Sequence, residues 1–374
     1  RVLLWVAPAV AWAAITSGVA QHAVDEDEYR DQLEGRIGRG RAVMRSLSHR
    51  AAQEPQTIAF TDGNDPRVIR AARSLAEEGI ANPVLVGQRT TVEGAIAALG
   101  FPPEEFTILD PASDPRRDAF AEELWHRRQR RGVTREEARW RLLQPEYFVS
   151  MLASTGHVDA AVLGPNQTYP RAIRPALQAV GALPGATVAG IYMMVLQQGV
   201  YFFADCTVNI EPDAETLAEI GASTADFVQG LGLEARVAML SFSNFGSARH
   251  PKQARVADAV TRLQARRPDL MVDGEMQADT AVVEEMLNGS YPFSKLQRPA
   301  NVLIFPDLNA ANICYKLLER LGGAQAIGPI LVGMAAPIHV LQHGARADTI
   351  VNLAVIAAVD ALERRRHRAT PTPT

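Results

Sequence analysis

HVDAAVLGPNQTYPRAIRPALQ (157–178) is the stretch that decides the fold. An apolar run ends at Leu163, a polar loop follows, and a helix starts just beyond it. Strand, loop and helix in that order are the unit of an α/β protein. The same junction is where such proteins hold phosphate, because free N–H groups point outward at the helix start and the helix dipole favours an anion. Asn166, Gln167 and Thr168 read as loop donors, and Arg171 and Arg174 add charge near the helix start. The plainer alternative is a crossover loop with surface arginines.

The pattern repeats in both directions. TIAFTDG (57–63), NPVLVG (82–87), GIYMMVL (190–196), EARVAMLSFS (234–243) and ANVLIFP (300–306) read as strands. DPRVIRAARSLAEEG (65–79), VEGAIAALG (92–100) and ANICYKLLERLGG (311–323) read as helices, the first with a glycine stop. Strands alternating with helices predict an α/β chain with largely parallel sheets. SFSNFGSARHPKQARVADAV (241–260) repeats the strand–loop–helix logic, so Ser241, Ser243, Gly246, Ser247 and Arg249 form a second candidate anion cradle. In DGEMQADTAV (273–282), Asp273 and Glu275 read as caps of the following helix. With Asp279, the alternative is a divalent-metal site or an acid–base pair.

RRDAFAEELWHRRQRRGVTREEARWR (116–141) reads as a helix, a stop at Gly132, and a second helix capped by Thr134 with Glu137 at capping-box spacing. Arginines interleave with Glu122, Glu123, Glu136 and Glu137, so most are solvated or paired. Residues 25–50 predict a long amphipathic helix with negative charge on its first turn. The chain opens on Arg1, and residues 2–20 are almost wholly apolar. They read as a buried helix of a domain lying upstream, in preference to a signal peptide or a membrane span. ERRRHRATPTPT (363–374) reads as a charged helix end and a disordered tail.

Composition narrows the function. The 374 residues fit two to three domains. Hydrophobic residues make up 47% and charged residues 21%, as in ordinary globular proteins. The formal net charge of −4 gives no whole-chain attraction to nucleic acid or anionic lipid. Cys206 and Cys314 are the two cysteines, too few for a disulfide framework or a zinc site of their own, and they fit a reducing compartment. The sequence holds no GxxxxGK[ST] loop, GxSxG elbow or GxGxxG fingerprint.

FADCTVNIEPDAETLAEIGASTA (203–225), GPNQTYPRAIRPALQ, SFSNFGSAR, DGEMQADTAV and FPDLNAANICYKLLERLGGAQAIGPILVGMAAPIHVL (305–341) together resemble the phosphate acetyltransferase (phosphotransacetylase) family, in the right order over roughly residues 56–365. The opening helix and acidic linker resemble the last helix of the NADP-binding domain of large bacterial malic enzymes, which carry a phosphotransacetylase-like domain after the catalytic one. The resemblance implies a two-lobed α/β fold with parallel sheets, like that of isocitrate and isopropylmalate dehydrogenases. It divides the chain into the last malic enzyme helix (1–24), a linker helix (25–55), lobe one (56–188 plus 329–365), a dimerising lobe two (189–328) and a tail (366–374).

The resemblance also assigns residues. Active members use a Ser and an Arg in a loop close to DLSRG, and an Asp five residues after its Gly. In VLQHGARADTI (340–350) those positions hold Gln342, His343 and Thr349, with Asp348 beside the last. An imidazole cannot make the bidentate contact of a guanidinium, and loss of a positioned base alone typically costs about 10² to 10⁴ in rate. Arg128, Arg174 and Cys206 match family positions. Arg128, Asn166, Thr168, Arg174, Cys206, Ser243, Ser247, Gln342 and His343 are therefore the candidate acyl-CoA and phosphate contacts. The expectation is a non-catalytic regulatory and oligomerisation domain that binds acetyl-CoA and inhibits an attached malic enzyme in the cytoplasm. No metal is expected in this chain, and no nucleic-acid or membrane partner. NADP and a divalent metal belong to the malic enzyme domain outside this sequence. The alternatives are an active phosphate acetyltransferase and a purely structural homo-oligomerising domain.

Overall fold

The computed structural model describes residues 2–20, 29 and 38–369. The expected helix over 25–50 lies partly outside these residues. Its described part begins at Arg39. The expected tail overlaps a helix as far as Ala369, and its last five residues lie outside the described ones.

Two helices come first, α1 (Val2–Thr16) and α2 (Arg39–Gln53). The first lobe then runs β1 (Gln56–Phe60), α3 (Pro66–Glu77), β2 (Ala81–Val86), α4 (Arg89–Ala98), β3 (Thr107–Leu109), α5 (Arg117–Arg128), α6 (Arg135–Arg141), α7 (Pro145–Ser154), β4 (Ala160–Leu163) and α8 (Tyr169–Ala179). The second lobe follows with β5 (Ala189–Val195), β6 (Val200–Ala204), α9 (Ala214–Gly230), β7 (Arg236–Leu240), α10 (Pro251–Arg266), β8 (Met271–Met276), α11 (Ala278–Val282), α12 (Glu284–Ser290), β9 (Val302–Ile304), α13 (Leu308–Arg320) and β10 (Gln325–Val332). The chain returns to the first lobe with β11 (Ile338–Val340) and α14 (Ala347–Ala369).

Local chemistry sets the helix starts. Asp65 accepts the Arg67 N–H, with Pro66 at the first helical position of α3. Thr134 accepts the Glu137 N–H at 3.1 Å, the cap its spacing predicts. On α3 the residues Val68, Ile69, Ala71, Ala72 and Leu75 are buried, a stripe at helical period that faces the sheet.

The first sheet has strand order β11–β4–β1–β2–β3, and each of its neighbouring pairs is parallel. Ile58, Phe60 and Leu85 pack with α3 and α14 on one face, while Ala59, Val84 and Val86 pack with α5, α7 and α8 on the other. Alternate residues of one strand thus enter different cores, as the pleat requires. The second sheet has order β10–β5–β6–β9–β7–β8. Its β6, β9, β7 and β8 are parallel neighbours, whereas β10–β5 and β5–β6 are antiparallel. The lobe boundary expected at 328/329 falls inside β10, which pairs with β5 on both sides of that point.

On helix α1, Val6, Val10 and Trp12 are each about half exposed or more. Among the described residues, no helix is long and apolar enough to cross a membrane.

Candidate functional site

The carboxyl ends of β1, β4 and β11 are neighbours in the first sheet, so their loops meet at one edge of the lobe. Asp65 and Arg67 knit these loops together. Arg67 forks onto Asp65, and it also donates to the Asn166 side chain at 2.7 Å and the Ala345 carbonyl at 3.1 Å. Asn166 donates to Asp62 (3.2 Å) and Asp65 (3.0 Å). Burial pushes the Asp65 carboxyl up, but hydrogen bonds from Arg67 and Asn166 outweigh it and bring the pKa to about 2. Asp62 lies above its usual value because burial exceeds the help of Asn166 and Thr61. Asn166, expected as an anion donor, is thus committed to the loop framework. Gln167 is likewise held by the buried Glu146. Thr168 sits at the start of α8, exposed and with no side-chain capping bond.

Beside these loops lies a groove of about 940 Å3, lined by Trp140, Arg141, Tyr147, Gln167, Arg171 and Arg174 among others. Its chemistry is basic. Arg141 stacks 5.4 Å from the Tyr147 ring centre and donates to Gln178, which also accepts the Tyr147 hydroxyl at 2.6 Å. Burial raises the Tyr147 pKa, and Arg141, Arg174 and Arg128 in turn oppose that rise, so three guanidiniums surround one phenol. Arg128 ends α5 just before the left-handed Gly132 turn, and its Nε is buried without a partner. Burial, then Arg131 and Arg141, pull its pKa below the usual arginine value. The folded chain places Arg174 in the groove with Arg141, while Arg128 stands outside its lining and acts on Tyr147 through its charge. It adds Arg141, Tyr147 and Gln178, which the sequence reading missed.

The second lobe supplies the facing wall. Asp205, also missed, is buried and accepts N–H groups from Gly190 (3.0 Å), Thr207 (2.9 Å), Val208 (3.2 Å) and Asn209 (2.7 Å). It folds the turn after β6, and burial lifts its pKa despite these bonds. Its neighbour Cys206 is fully buried, with its thiol directed at the Phe203 carbonyl and its pKa raised by burial. That places the thiol in the core of the lobe, away from any ligand surface. Ser243 is also fully buried. It accepts the Ala248 N–H, while Ser247 accepts the Asn244 N–H, so both hydroxyls fold their own loop. Asp273 and Glu275 are not helix caps. They lie on β8, where Asp273 accepts Ser294 and the Lys295 N–H and Glu275 accepts the Gly246 N–H. The cap position of α11 is Gln277.

Several polar contacts join the two lobes, two of them near the candidate loops. Gln342, in the loop after β11, donates to the Tyr315 hydroxyl on α13 at 2.7 Å. Tyr315 stacks on Tyr192, ring centres 4.1 Å apart. Tyr169 and Thr207 form the other contact at 2.8 Å. His343 is exposed, Thr349 is half-buried, and Asp348 is paired with Arg346. Gln342 and His343 thus present a carboxamide tied to a phenol and an exposed imidazole, with no guanidinium fork at these two positions.

Comparison with known proteins gives the same architecture. The profile of the phosphate acetyl/butaryl transferase family matches residues 42–358. NADP-dependent malic enzyme of Escherichia coli is 36% identical over 369 residues, covering 96% of this chain and 48% of that protein. Phosphate acetyltransferase of Thermoanaerobacterium thermosaccharolyticum is 37% identical over 328 residues, covering 86% of this chain and 99% of that protein. A solved phosphotransacetylase from Streptococcus pyogenes superposes with a TM-score of 0.82 at 36% identity, covering 86% of this chain and 99% of that one. The chain thus spans about half the length of the malic enzyme it matches and nearly all of the phosphotransacetylases. With two lobes of this topology, and a family match over most of its length, the chain belongs to the phosphate acetyl/butaryl transferase family.

Proposed function

We propose that this chain is a non-catalytic regulatory and oligomerisation unit of a cytoplasmic malic enzyme. It binds acetyl-CoA in or near the interlobe cleft and thereby inhibits NADP-dependent oxidative decarboxylation of malate. The observation that carries the reading is the contrast inside one cleft. Arg141, Arg171 and Arg174 line a groove, and Arg128, whose charge also acts on the Tyr147 phenol, keeps a buried, unpartnered Nε–H, which is the chemistry that takes a phosphate. At the positions where the family resemblance expects Ser, Arg and Asp stand Gln342, His343 and Thr349, and Gln342 is occupied by Tyr315. Anion binding survives this exchange, whereas acyl transfer loses its groups.

Oligomerisation is supported by α13. Ile313, Leu317 and Leu321, at helical spacing, are 57%, 52% and 81% exposed, an apolar stripe on the outside of lobe two. Docking of the exposed apolar residues of α1 onto a malic enzyme domain accounts for that helix. NADP and a divalent metal would be held by the malic enzyme domain.

The test uses the intact enzyme. Acetyl-CoA is expected to lower malate oxidation in the parent enzyme and to do so only weakly in an Arg128→Ala/Arg174→Ala variant, since allosteric coupling is typically about 1 to 3 kcal/mol. Rapid phosphate-dependent release of CoA from acetyl-CoA would instead establish an active transferase. Equal inhibition of parent and variant would remove the arginine groove from the account.

A further inference from the structure

Helix α2 touches both lobes. Its first turn lies on the β5–β6 hairpin of lobe two. A Cβ added at Gly40 would sit 2.5 Å from the Leu196 carbonyl oxygen, 2.7 Å from Val195 Cγ1 and 3.0 Å from the Gly199 oxygen, so this approach requires glycine. The middle of the helix buries Met44, Leu47 and Ala51 in the core shared with α14 of lobe one. In its last turn Arg50 donates to the Gly230 carbonyl at the end of α9, at 3.0 Å, and pairs with Glu363 on α14. Glu54, just past the helix, pairs with Arg365. One side chain, Arg50, thus bridges a lobe-two helix and a lobe-one helix.

We propose that α2 is a clasp across the two lobes that fixes the interlobe angle, so that the Gln342–Tyr315 contact in the cleft holds only while the clasp is engaged. The physical basis is rigid-body linkage. The chain passes between the lobes near Ala182 and Met334, which bridge each other, and a helix packed on both lobes resists their relative rotation there, so its release would relax the Gln342–Tyr315 contact. The polypeptide enters α2 at Gly38, so displacement of the chain before it acts on the cleft through this helix. The inference concerns the ligand-free chain and stands apart from the acetyl-CoA reading.

Amide hydrogen exchange read by mass spectrometry tests it on the full chain without ligand. The Gly344 and Ala345 amides, bonded to the Pro165 and Gln342 carbonyls, report the cleft loop. Gly40→Val and Arg50→Ala are expected to speed exchange over 341–346 about 2- to 10-fold, the range for losing the net contribution of one hydrogen bond. Arg50→Lys should restore part of the protection. By reciprocity, Gln342→Ala should speed exchange in 40–53 by a similar factor. Faster exchange confined to 38–54 and 195–199 in the variants that fold, with 341–346 unchanged, would overturn the proposal. Arg50→Ala keeps the test decisive if Gly40→Val fails to fold.

Discussion

The two walls of the cleft treat their polar groups differently. On the lobe-one wall, Arg128 and Arg174 have no carboxylate within salt-bridge distance among the described residues, and a buried guanidinium nitrogen is left without a partner. On the facing wall, Asp205, Ser243 and Ser247 are committed to folding their own loops, and Tyr315 is taken by Gln342. A buried donor left unmade costs free energy unless something fills it. The difference is what the proposed function uses: unpaired guanidiniums on one side can take an anion from outside, while the polar groups of the second lobe are spent on holding shape.

The largest effect should come from the outer surface of lobe two. Leu317→Asp places a charge in the exposed apolar stripe of α13 and is expected to convert the oligomer to a smaller species in analytical ultracentrifugation, while groove binding persists. An unchanged assembly would move the interface elsewhere. Next comes the groove. Arg128→Ala/Arg174→Ala should weaken acetyl-CoA binding about 10²- to 10⁴-fold, from hydrogen bonds to charged groups worth roughly 1.5–3 kcal/mol each. Ser243→Ala on the other wall should alter stability and leave affinity within about threefold, since its hydroxyl serves the loop. Equal losses of affinity from both walls would break the distinction.

Acid should act through His339, fully buried between the lobes. Its Nδ1 accepts the Leu331 N–H at 3.2 Å, and burial drives its pKa down to about 4, against a nearby Asp360. The folded state binds the proton less readily than the unfolded one, whose imidazole titrates near 6.5. This contribution is therefore fully present above pH 6.5 and is lost as pH falls from about 6.5 toward 4, by up to roughly 3 kcal/mol. Urea midpoints measured across that window should fall in the parent protein and flatten in His339→Gln. The smallest effect is expected from Gln342→Ala. It frees Tyr315 at a cost of about 0.5–1.5 kcal/mol in stability and leaves acetyl-CoA affinity within a few-fold.

Local chemistry was legible in the sequence. Asp65-Pro66 and Thr134 with Glu137 start their helices as their spacing predicts, because capping needs only neighbours in the chain. The parallel strands and the phosphotransacetylase-like motifs were legible for the same reason. The open appearance of the polar loops misled. Asn166 looks like a free donor in GPNQT, but Asp62 and Asp65, about a hundred residues earlier, claim both its N–H groups. Asp205 was overlooked beside Cys206, because in CTVN only Asn209 is a turn-forming residue and the carboxylate that folds this loop leaves little local mark. Tyr147 and Gln178 reach Arg141 only through helix packing, and Gln342 meets Tyr315 only across two lobes, so neither grouping leaves a mark in spacing.

The central claim is that the cleft binds an acyl-CoA that it no longer turns over. Calorimetric titration of the chain with acetyl-CoA tests it most directly, with CoA and phosphate as controls and the titrated sample assayed for released CoA. The account predicts saturable micromolar binding that prefers acetyl-CoA, is lost in Arg128→Ala/Arg174→Ala, and leaves the thioester intact in the presence of phosphate. Absence of binding, or steady release of CoA on adding phosphate, would contradict it.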